Sequence, residues 1–281
     1  MASEKKVVLV TGGNTGLGYE AIKALYASSI AYEILLGTRT LSKGQDAIQQ
    51  LQTEVSDSSS SITSLQVDVN SDASIEAAIA EITSRYGRLD ALVNNAGASF
   101  DGAVSNGSMT IREAWNTSWD TNVSGTHVLT TLAVPLLLKS RDSSGEPPRL
   151  LFITSGTSSL WETEEENWGS MVHLSRINAS PAGGWPKEGG PMAFTSYRST
   201  KTGLNMLMRE WVRILKNDGV KVWAVSPGFL ATNLGGVSQE TLRKMGALEP
   251  HVGGEFIRDV VQGKHDDRAG KVIRSDALQP W

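Results

Sequence analysis

Tyr197 and Lys201 stand four positions apart in the stretch TSYRSTKTGLNML, which begins at residue 195. In a helix, this spacing places both side chains on one face, one turn apart. A phenol, with a pKa of about 10, is an available acid, and an ammonium group beside it stabilises the phenolate and lowers that pKa. Such a pair could protonate a carbonyl oxygen by general acid catalysis. The spacing alone is not diagnostic, because Tyr19 and Lys23 repeat it in this chain. We interpret that second pair as a packing residue and a solvated one.

Short apolar runs alternate with helical segments along the chain and must form the elements that position any site. The runs VVLV, YEILLGT, ITSLQVDV, LDALVNNAG, RLLFITS and VKVWAVSPG are each followed by a segment of helical periodicity. This pattern predicts an α/β fold with a doubly wound, Rossmann-like parallel sheet, formed by residues 1–281 as a single domain. Within it, the polar run at 56–64 predicts a surface loop.

An insertion at about 156–193 is longer than an ordinary connection from strand to helix, which indicates a functional segment or a disordered one. It contains Trp161, Trp168 and Trp185. Two interpretations stay open for these tryptophans. They form an apolar lid over a bulky or aromatic substrate, or they pack the insertion onto the body of the protein.

The glycine-rich stretch TGGNTGLG, residues 11–18, follows the first strand and opens the first helix. Gly12, Gly16 and Gly18 allow a tight turn, close approach of a phosphate group, and close packing of helix on strand. The helix N-terminus adds unpaired N–H groups and a partial positive charge. In this position the stretch predicts a dinucleotide site.

The end of the second strand indicates which dinucleotide is bound. An acidic residue there would bind a ribose 2′-hydroxyl, and an arginine would accommodate a 2′-phosphate. The chain has Arg39 in LLGTRT and no carboxylate, which favours NADPH over NADH. Thr38 and Lys43 are candidates for additional contacts. The alternative is that Arg39 is only a solvated loop residue.

Several further motifs occur in a fixed order: Asp68–Val69, NNAG at 94–97, Asn122, Ser155, YRSTK at 197–201, SPG at 226–228, and Thr232. With the glycine-rich stretch they resemble the short-chain dehydrogenase/reductase family over nearly the whole chain. The long segment between Ser155 and Tyr197 is similar to that of its monomeric carbonyl reductases.

The resemblance implies a catalytic tetrad of Asn122, Ser155, Tyr197 and Lys201. Tyr197 would donate a proton to the substrate oxygen and Lys201 would tune it. Ser155, at the carboxyl end of its strand, would donate to the same oxygen, as an oxyanion stabiliser does. Asn122, midway along its helix, would hold a water that joins Lys201 to solvent.

The resemblance also implies an NADPH/NADP+ site. Thr15 departs from many carbonyl reductases, which have a lysine there, so that one contact to the 2′-phosphate is missing. The implied cofactor-binding residues are Gly12, Asn14, Thr15, Gly16, Leu17, Gly18, Arg39, Asp68, Val69, Asn95, Ala96, Gly97, Tyr197, Lys201, Pro227, Gly228 and Thr232.

Composition argues against several classes of binding partner. A net charge of −4 and a pI of about 5.7 give no basic footprint for nucleic acid or an anionic membrane, and the longest apolar stretch is too short to span a bilayer. The chain has no cysteine, and its four histidines lack metal-ligand spacing, so we predict no metal site. We expect a cytoplasmic protein that acts on a small-molecule carbonyl substrate. A monomer is favoured, and a dimer stays open as the alternative.

These features predict an NADPH-dependent carbonyl reductase. Two alternatives stay open. One is a ketoreductase of steroid- or polyketide-like secondary metabolites on the same scaffold. The other is a non-catalytic, NADP-sensing regulatory protein, a class that usually loses the tyrosine or the lysine.

Overall fold

The computed structural model describes residues 5–169, 172–185, 187 and 194–281. Seven strands form one parallel sheet in the order β3-β2-β1-β4-β5-β6-β7. The strands are β1 Lys6–Thr11, β2 Tyr32–Thr38, β3 Ser61–Gln66, β4 Ala91–Asn94, β5 Arg149–Ile153, β6 Lys221–Val225 and β7 Val272–Ile273.

Helices connect the strands on both faces of the sheet. They are α1 Gly16–Tyr26, α2 Leu41–Glu54, α3 Asp72–Arg85, α4 Asp101–Ser105, α5 Ile111–Trp119, α6 Gly125–Ser144, α7 Val172–Asn178, α8 Thr195–Ile214, α9 Gln239–Lys244 and α10 Pro250–Val261. A π-helical turn, Asp120–Ser124, joins α5 to α6. Short 3₁₀ turns occupy part of the insertion.

Alternate residues of each strand face two separate hydrophobic cores. Val8 and Val10 of β1 pack with α1, α2 and α10, whereas Leu9 packs with α3, α6 and α8. All three side chains are fully buried, because helices cover both faces of the sheet. This arrangement confirms the doubly wound α/β prediction, and it explains why the strands read as unbroken apolar runs.

The order of the strands reverses between β1 and β4. Ligands of such sheets bind in the crevice at the carboxyl ends of the strands at this point. The glycine-rich stretch follows β1 there, and NNAG lies at the end of β4.

Two features of the sheet differ from the sequence-based prediction. The polar run at 56–64 is not all loop, because β3 begins at Ser61 and pairs with β2. The run ITSLQVDV had predicted this strand, but an edge strand has one neighbour and needs few apolar side chains, so its polar start was assigned to the loop. The last strand, β7, has two residues, too few to give an apolar run.

Part of the predicted insertion, residues 170–171, 186 and 188–193, lies outside the described residues. In the portion of the chain that the structure describes, no helix has the length and apolar character needed to cross a bilayer. The same portion contains no group of three or more His, Asp or Glu side chains placed to hold a metal ion.

Candidate active site

The glycine-rich turn between β1 and α1 has a backbone that side chains would obstruct. Gly12 and Gly16 have φ angles of +64° and +56°, in the left-handed region. A Cβ on Gly18 would overlap the carbonyl oxygen of Gly12. Thr15, the residue before α1, makes no side-chain cap, so its hydroxyl does not occupy the main-chain N–H groups of the first turn. The turn therefore fits a dinucleotide pyrophosphate.

NNAG braces this turn from the neighbouring strand. The side-chain amide of Asn95 donates to the carbonyl oxygens of Thr11 (2.8 Å) and Gly12 (3.3 Å). In return, the Thr11 hydroxyl accepts from the main-chain N–H groups of Asn95 (3.0 Å) and Ala96 (2.9 Å). Asn95 and Ala96 therefore fix the shape of the glycine turn through bonds across the sheet.

The residues predicted to read the adenosine half lie at the ends of β2 and β3. Arg39 is exposed, and its guanidinium makes no hydrogen bond or ion pair with the described residues. Thr38 is buried, and its hydroxyl donates to the carbonyl oxygen of Thr40 (3.4 Å), so it is already engaged. Lys43 is exposed on α2. Arg39 and Lys43 are thus the accessible cations at this end of the site.

Asp68 and Val69 follow β3 in a tight turn. The Asp68 carboxylate accepts from the N–H of Asn70 (3.1 Å), which fixes its direction. Val69 is buried, and its carbonyl oxygen lies so close to Gly125 that a Cβ on Gly125 would overlap it. The two residues therefore form a firm wall beside the start of α6.

The segment after β6 closes the other side of the turn. A Cβ on Gly16 would lie 3.8 Å from the Cβ of Thr232, so Thr232 lies beside the glycine turn. Leu17 and Pro227 direct side-chain atoms at Gly253 of α10, so both residues pack against that helix. The remaining predicted residues here are Asn14, half-buried, and Gly228, exposed with φ +101°.

Asn122 occupies the π-helical turn rather than the middle of a regular helix. Its side-chain oxygen accepts from the N–H of Ala98 (2.9 Å), and its amide nitrogen donates to the Ala98 carbonyl oxygen (2.9 Å) and the Thr200 hydroxyl (2.9 Å). The side chain is buried. Single π-helical turns are frequent at functional sites, and this one ties α8 to the segment after β4.

Tyr197 and Lys201 lie on α8, which confirms the predicted helical spacing. The Lys201 Nζ is 5.7 Å from the centre of the Tyr197 ring and donates to the carbonyl oxygen of Ile153 (2.7 Å). A Cβ on Gly97 would lie 3.1 Å from the Asn122 side-chain oxygen and 3.3 Å from Lys201 Nζ. The Asn122 amide and the Lys201 ammonium group therefore both border Gly97.

Burial dominates the titration of this pair. It raises the pKa of Tyr197 to about 12, and a hydrogen bond with Ser155 opposes the rise. Burial also lowers the pKa of Lys201 to about 8. The expected lowering of the tyrosine pKa is therefore not seen in the protein alone, because desolvation of the phenolate outweighs the hydrogen bond with Ser155. At neutral pH the phenol is protonated and the amine largely charged.

Ser155 lies two residues beyond β5 in extended backbone. Its carbonyl oxygen accepts from the Ser158 hydroxyl (2.6 Å) and the side-chain amide of Gln279 (3.0 Å). Its own hydroxyl is 3.0 Å from that of Thr157. The structure thus brings all four predicted tetrad residues into one cluster. Sequence reasoning missed Gln279 and Thr200, because both act through contacts between distant segments.

Tyr19 and Lys23 have the same spacing in a different environment. Tyr19 is a buried residue of α1, and burial raises the pKa of its phenol. Lys23 forms an ion pair with Glu54 (2.6 Å). This pair is part of the packing of α1 against α2.

The first half of the insertion is anchored to the body of the protein. Glu162 is buried and pairs with Arg274 (2.6 Å), and its carbonyl oxygen accepts from the indole N–H of Trp168 (3.0 Å). By contrast, Trp161 and Trp185 are 44% and 87% exposed. Trp168 therefore helps to hold the insertion, whereas Trp161 and Trp185 keep large exposed surfaces.

Comparisons with known proteins agree with this geometry. The sequence model of the short chain dehydrogenase family matches residues 6–161. The short-chain dehydrogenase/reductase eupG of a Phoma species is 47% identical, covering 100% of this chain and 99% of its own length. TropE of Talaromyces stipitatus, also a short-chain dehydrogenase/reductase, is 44% identical over 99% of each chain. Rat carbonyl reductase [NADPH] 1 is 28% identical over 100% of each.

Among solved structures, NADPH-bound carbonyl reductase from chicken fatty liver superposes with a TM-score of 0.75. The match covers 99% of this chain and 100% of that one, at 21% sequence identity. At that identity the likeness establishes a shared fold.

Proposed function

The chain belongs to the short-chain dehydrogenase/reductase family, and from this we propose that it is an NADPH-dependent carbonyl reductase. It would transfer a hydride between the nicotinamide and a ketone or aldehyde, or a secondary alcohol in reverse. One observation carries the proposal: the Tyr197 phenol, held protonated by burial, shares a hydrogen bond with Ser155 and has the Lys201 ammonium group 5.7 Å from its ring.

The residues of this cluster perform the proton side of the reaction. The bound cofactor would supply the hydride. Negative charge that develops on the carbonyl oxygen is met by two donors, the hydroxyls of Ser155 and Tyr197. Tyr197 gives up its proton, and the Lys201 ammonium group stabilises the phenolate that remains.

Asn122 keeps these groups in place. Both N–H bonds of its amide are used, on Ala98 and Thr200, and Thr200 in turn donates to the carbonyl oxygen of Tyr197 (2.8 Å). Lys201 uses one donor on Ile153, which leaves its other N–H groups for a water that returns the proton from solvent. The proposal thus gives Asn122 the task of aligning the relay.

The preference for NADPH rests on Arg39. A free, exposed guanidinium at the end of β2 suits a 2′-phosphate, which it can bind through two parallel hydrogen bonds. Rat carbonyl reductase [NADPH] 1 carries the cofactor in its name, and the chicken carbonyl reductase structure has NADPH bound. These observations support NADPH over NADH, with the pyrophosphate at the glycine turn and the adenine beside Asp68 and Val69.

The substrate would be a small-molecule carbonyl compound, met in the cytoplasm. The monomer expected from the long insertion stays a prediction. A stripe of exposed apolar side chains on α5 (Ile111, Trp115 and Trp119) supports the dimer alternative. Sedimentation velocity at micromolar concentration distinguishes the two states.

A panel of aromatic, quinone, steroid and aliphatic carbonyl compounds tests the function by oxidation of NADPH. Wild-type protein should oxidise NADPH with at least one of these compounds. Tyr197→Phe should lose about 100-fold or more of that rate while NADPH binding stays nearly intact. Tyr19→Phe is the matched control and should retain the rate. A wild-type protein that binds NADPH but oxidises it with no compound would favour the sensor alternative.

A further inference from the structure

Asp101 is a buried carboxylate at the start of α4, four residues after NNAG, and no step of the proposed reaction uses it. One carboxylate oxygen accepts from the N–H of Ser196 (2.9 Å). The other accepts from the Ser196 hydroxyl (2.8 Å) and from the N–H of Tyr197 (3.0 Å). The group therefore bonds to the main chain of the proton donor itself.

Helix α8 cannot cap its own N-terminus. The residue before it is Phe194, which has no side-chain acceptor, and no side-chain cap is made there. The N–H groups of the first turn would otherwise lack partners. Asp101 supplies the cap from another element, and its negative charge also interacts favourably with the positive end of the helix dipole.

This cap is of particular consequence because of where Tyr197 lies. It is the third residue of α8, in the first turn, and the end turns of helices fray most easily. The reacting hydroxyl must stay at Ser155, and a misplacement of about 1 Å can cost about 100-fold in rate. A cap on the main-chain N–H of Tyr197 opposes that misplacement.

The segment between β4 and α4 also holds Asn122, another residue of the proposed tetrad. Ala98, three residues before Asp101, bonds through both its N–H and its carbonyl oxygen to the Asn122 side chain. On the far side, the Ser196 hydroxyl is 3.2 Å from that of Ser118, close to the π-helical turn. Ala98 and Asp101 thus bond to both helical parts of the site, the π-helical turn and the first turn of α8.

We propose that Asp101 is a positioning residue that fixes the first turn of α8, so that the Tyr197 hydroxyl is held at Ser155 and the substrate oxygen. Its catalytic consequence rests on the proposed function, whereas the cap itself does not. A purely structural role would lower stability without a specific effect on catalysis.

Asp90 offers a matched control. It precedes β4 as Asp101 follows it, it is buried, and its carboxylate also accepts from a main-chain N–H, that of Val7 (2.7 Å), and from a serine hydroxyl, that of Ser140 (2.6 Å). Asp90 lies at the amino edge of the sheet, away from the crevice. The Asp90 carboxylate also pairs with Arg88 (3.2 Å), so Asp90→Asn should lower stability at least as much as Asp101→Asn does.

The experiment measures hydrogen exchange, steady-state kinetics and melting temperature for Asp101→Asn, Asp101→Ala and Asp90→Asn. Both Asp101 variants should speed exchange of the Ser196 and Tyr197 amides and lower kcat, by about 10-fold for Asn and up to about 100-fold for Ala. NADPH affinity should stay within about twofold. Asp90→Asn should leave kcat and the exchange of those two amides at wild-type values.

Two results would overturn the proposal. One is unchanged amide exchange in Asp101→Ala. The other is a loss of kcat in Asp101→Asn no greater than in Asp90→Asn at an equal loss of melting temperature. If the wild-type protein reduces no carbonyl compound, the proposed function fails on its own, and the exchange measurement still decides whether Asp101 holds the first turn of α8.

Discussion

The ammonium nitrogen of Lys201 lies 5.7 Å from the centre of the Tyr197 ring while it donates a 2.7 Å hydrogen bond to the carbonyl oxygen of Ile153. Ile153 ends β5, two residues before Ser155. The lysine therefore joins the strand that presents Ser155 to the helix that presents Tyr197. Burial at this junction lowers the pKa of Lys201 to about 8. The protonation of Lys201 therefore changes within the pH range of an ordinary assay.

Carbonyl reduction should fall with rising pH as Lys201 loses its proton. The phenol, with a pKa of about 12, stays protonated across the assay range, so the lysine alone should govern the profile of the free enzyme. We expect kcat/KM to be level below about pH 7.5 and to fall roughly tenfold per unit well above pH 8. Lys201→Arg, which keeps its charge, should give a flat profile. A wild-type profile level to pH 10 would contradict this account.

Burial of the charged lysine should also cost stability at neutral pH. A pKa of about 8 in the folded state against 10.5 in the unfolded chain corresponds to about 3 kcal/mol. Below pH 8 Lys201 is protonated in both the folded and the unfolded state, so the fold bears the whole cost. Between pH 8 and 10.5 the unfolded chain binds more protons than the folded one, so stability rises with pH and the cost is relieved.

Lys201→Met should accordingly abolish catalysis and raise the free energy of unfolding at pH 7, by up to about 2 kcal/mol after the lost bond to Ile153 is subtracted. Urea unfolding at pH 7 and pH 9.5 checks this, and the difference between variant and wild type should shrink at the higher pH. A variant less stable than wild type at pH 7 would show that the bond to Ile153 outweighs desolvation.

Arg39→Ala should change cofactor preference without touching the chemistry. Loss of a charged hydrogen-bonding partner for a 2′-phosphate costs about 1.5–3 kcal/mol, so kcat/KM for NADPH should fall about 10- to 100-fold while that for NADH hardly changes. Arg85→Ala removes an exposed arginine paired with Glu81 on α3 and serves as the control. An unaltered ratio of the two cofactors in Arg39→Ala would reduce Arg39 to a solvated loop residue.

The ion pair that anchors the insertion should contribute more than a surface pair. The Glu162 side chain is 4% exposed, so Arg274→Met leaves a buried carboxylate without its cation and should cost about 3 kcal/mol in free energy of unfolding. Adding Glu162→Gln should restore most of that loss. Arg213→Met, which breaks the exposed pair with Glu210, should leave the free energy of unfolding close to the wild-type value. Equal losses for Arg274→Met and Arg213→Met in urea would mean that the insertion is not held by this pair.

Local pattern was enough to predict most of the scaffold. Apolar runs determine strands, helical periodicity determines helices, and their alternation determines a doubly wound sheet, because each of these signals acts within a few residues. The glycine turn was readable for the same reason: Gly12 and Gly16 have backbone angles that other residues rarely adopt. The run ITSLQVDV predicted the edge strand β3, but its polar start at Ser61 was assigned to the loop. The two-residue β7 escaped prediction, since its partner across the sheet defines it more than its own composition does.

Within the site, the sequence by itself determined which residue types were present and how far apart they lay on one helix. It could not separate Tyr197 and Lys201 from Tyr19 and Lys23, because both pairs have the same spacing. The tertiary structure decided between them: one lysine is paired with Glu54, and the other is buried against Ile153. It also brought Asp101 to the main chain of Tyr197, 96 residues away in sequence. Burial and long-range hydrogen bonds set pKa values and orientation, and both exist only once the distant segments have packed together.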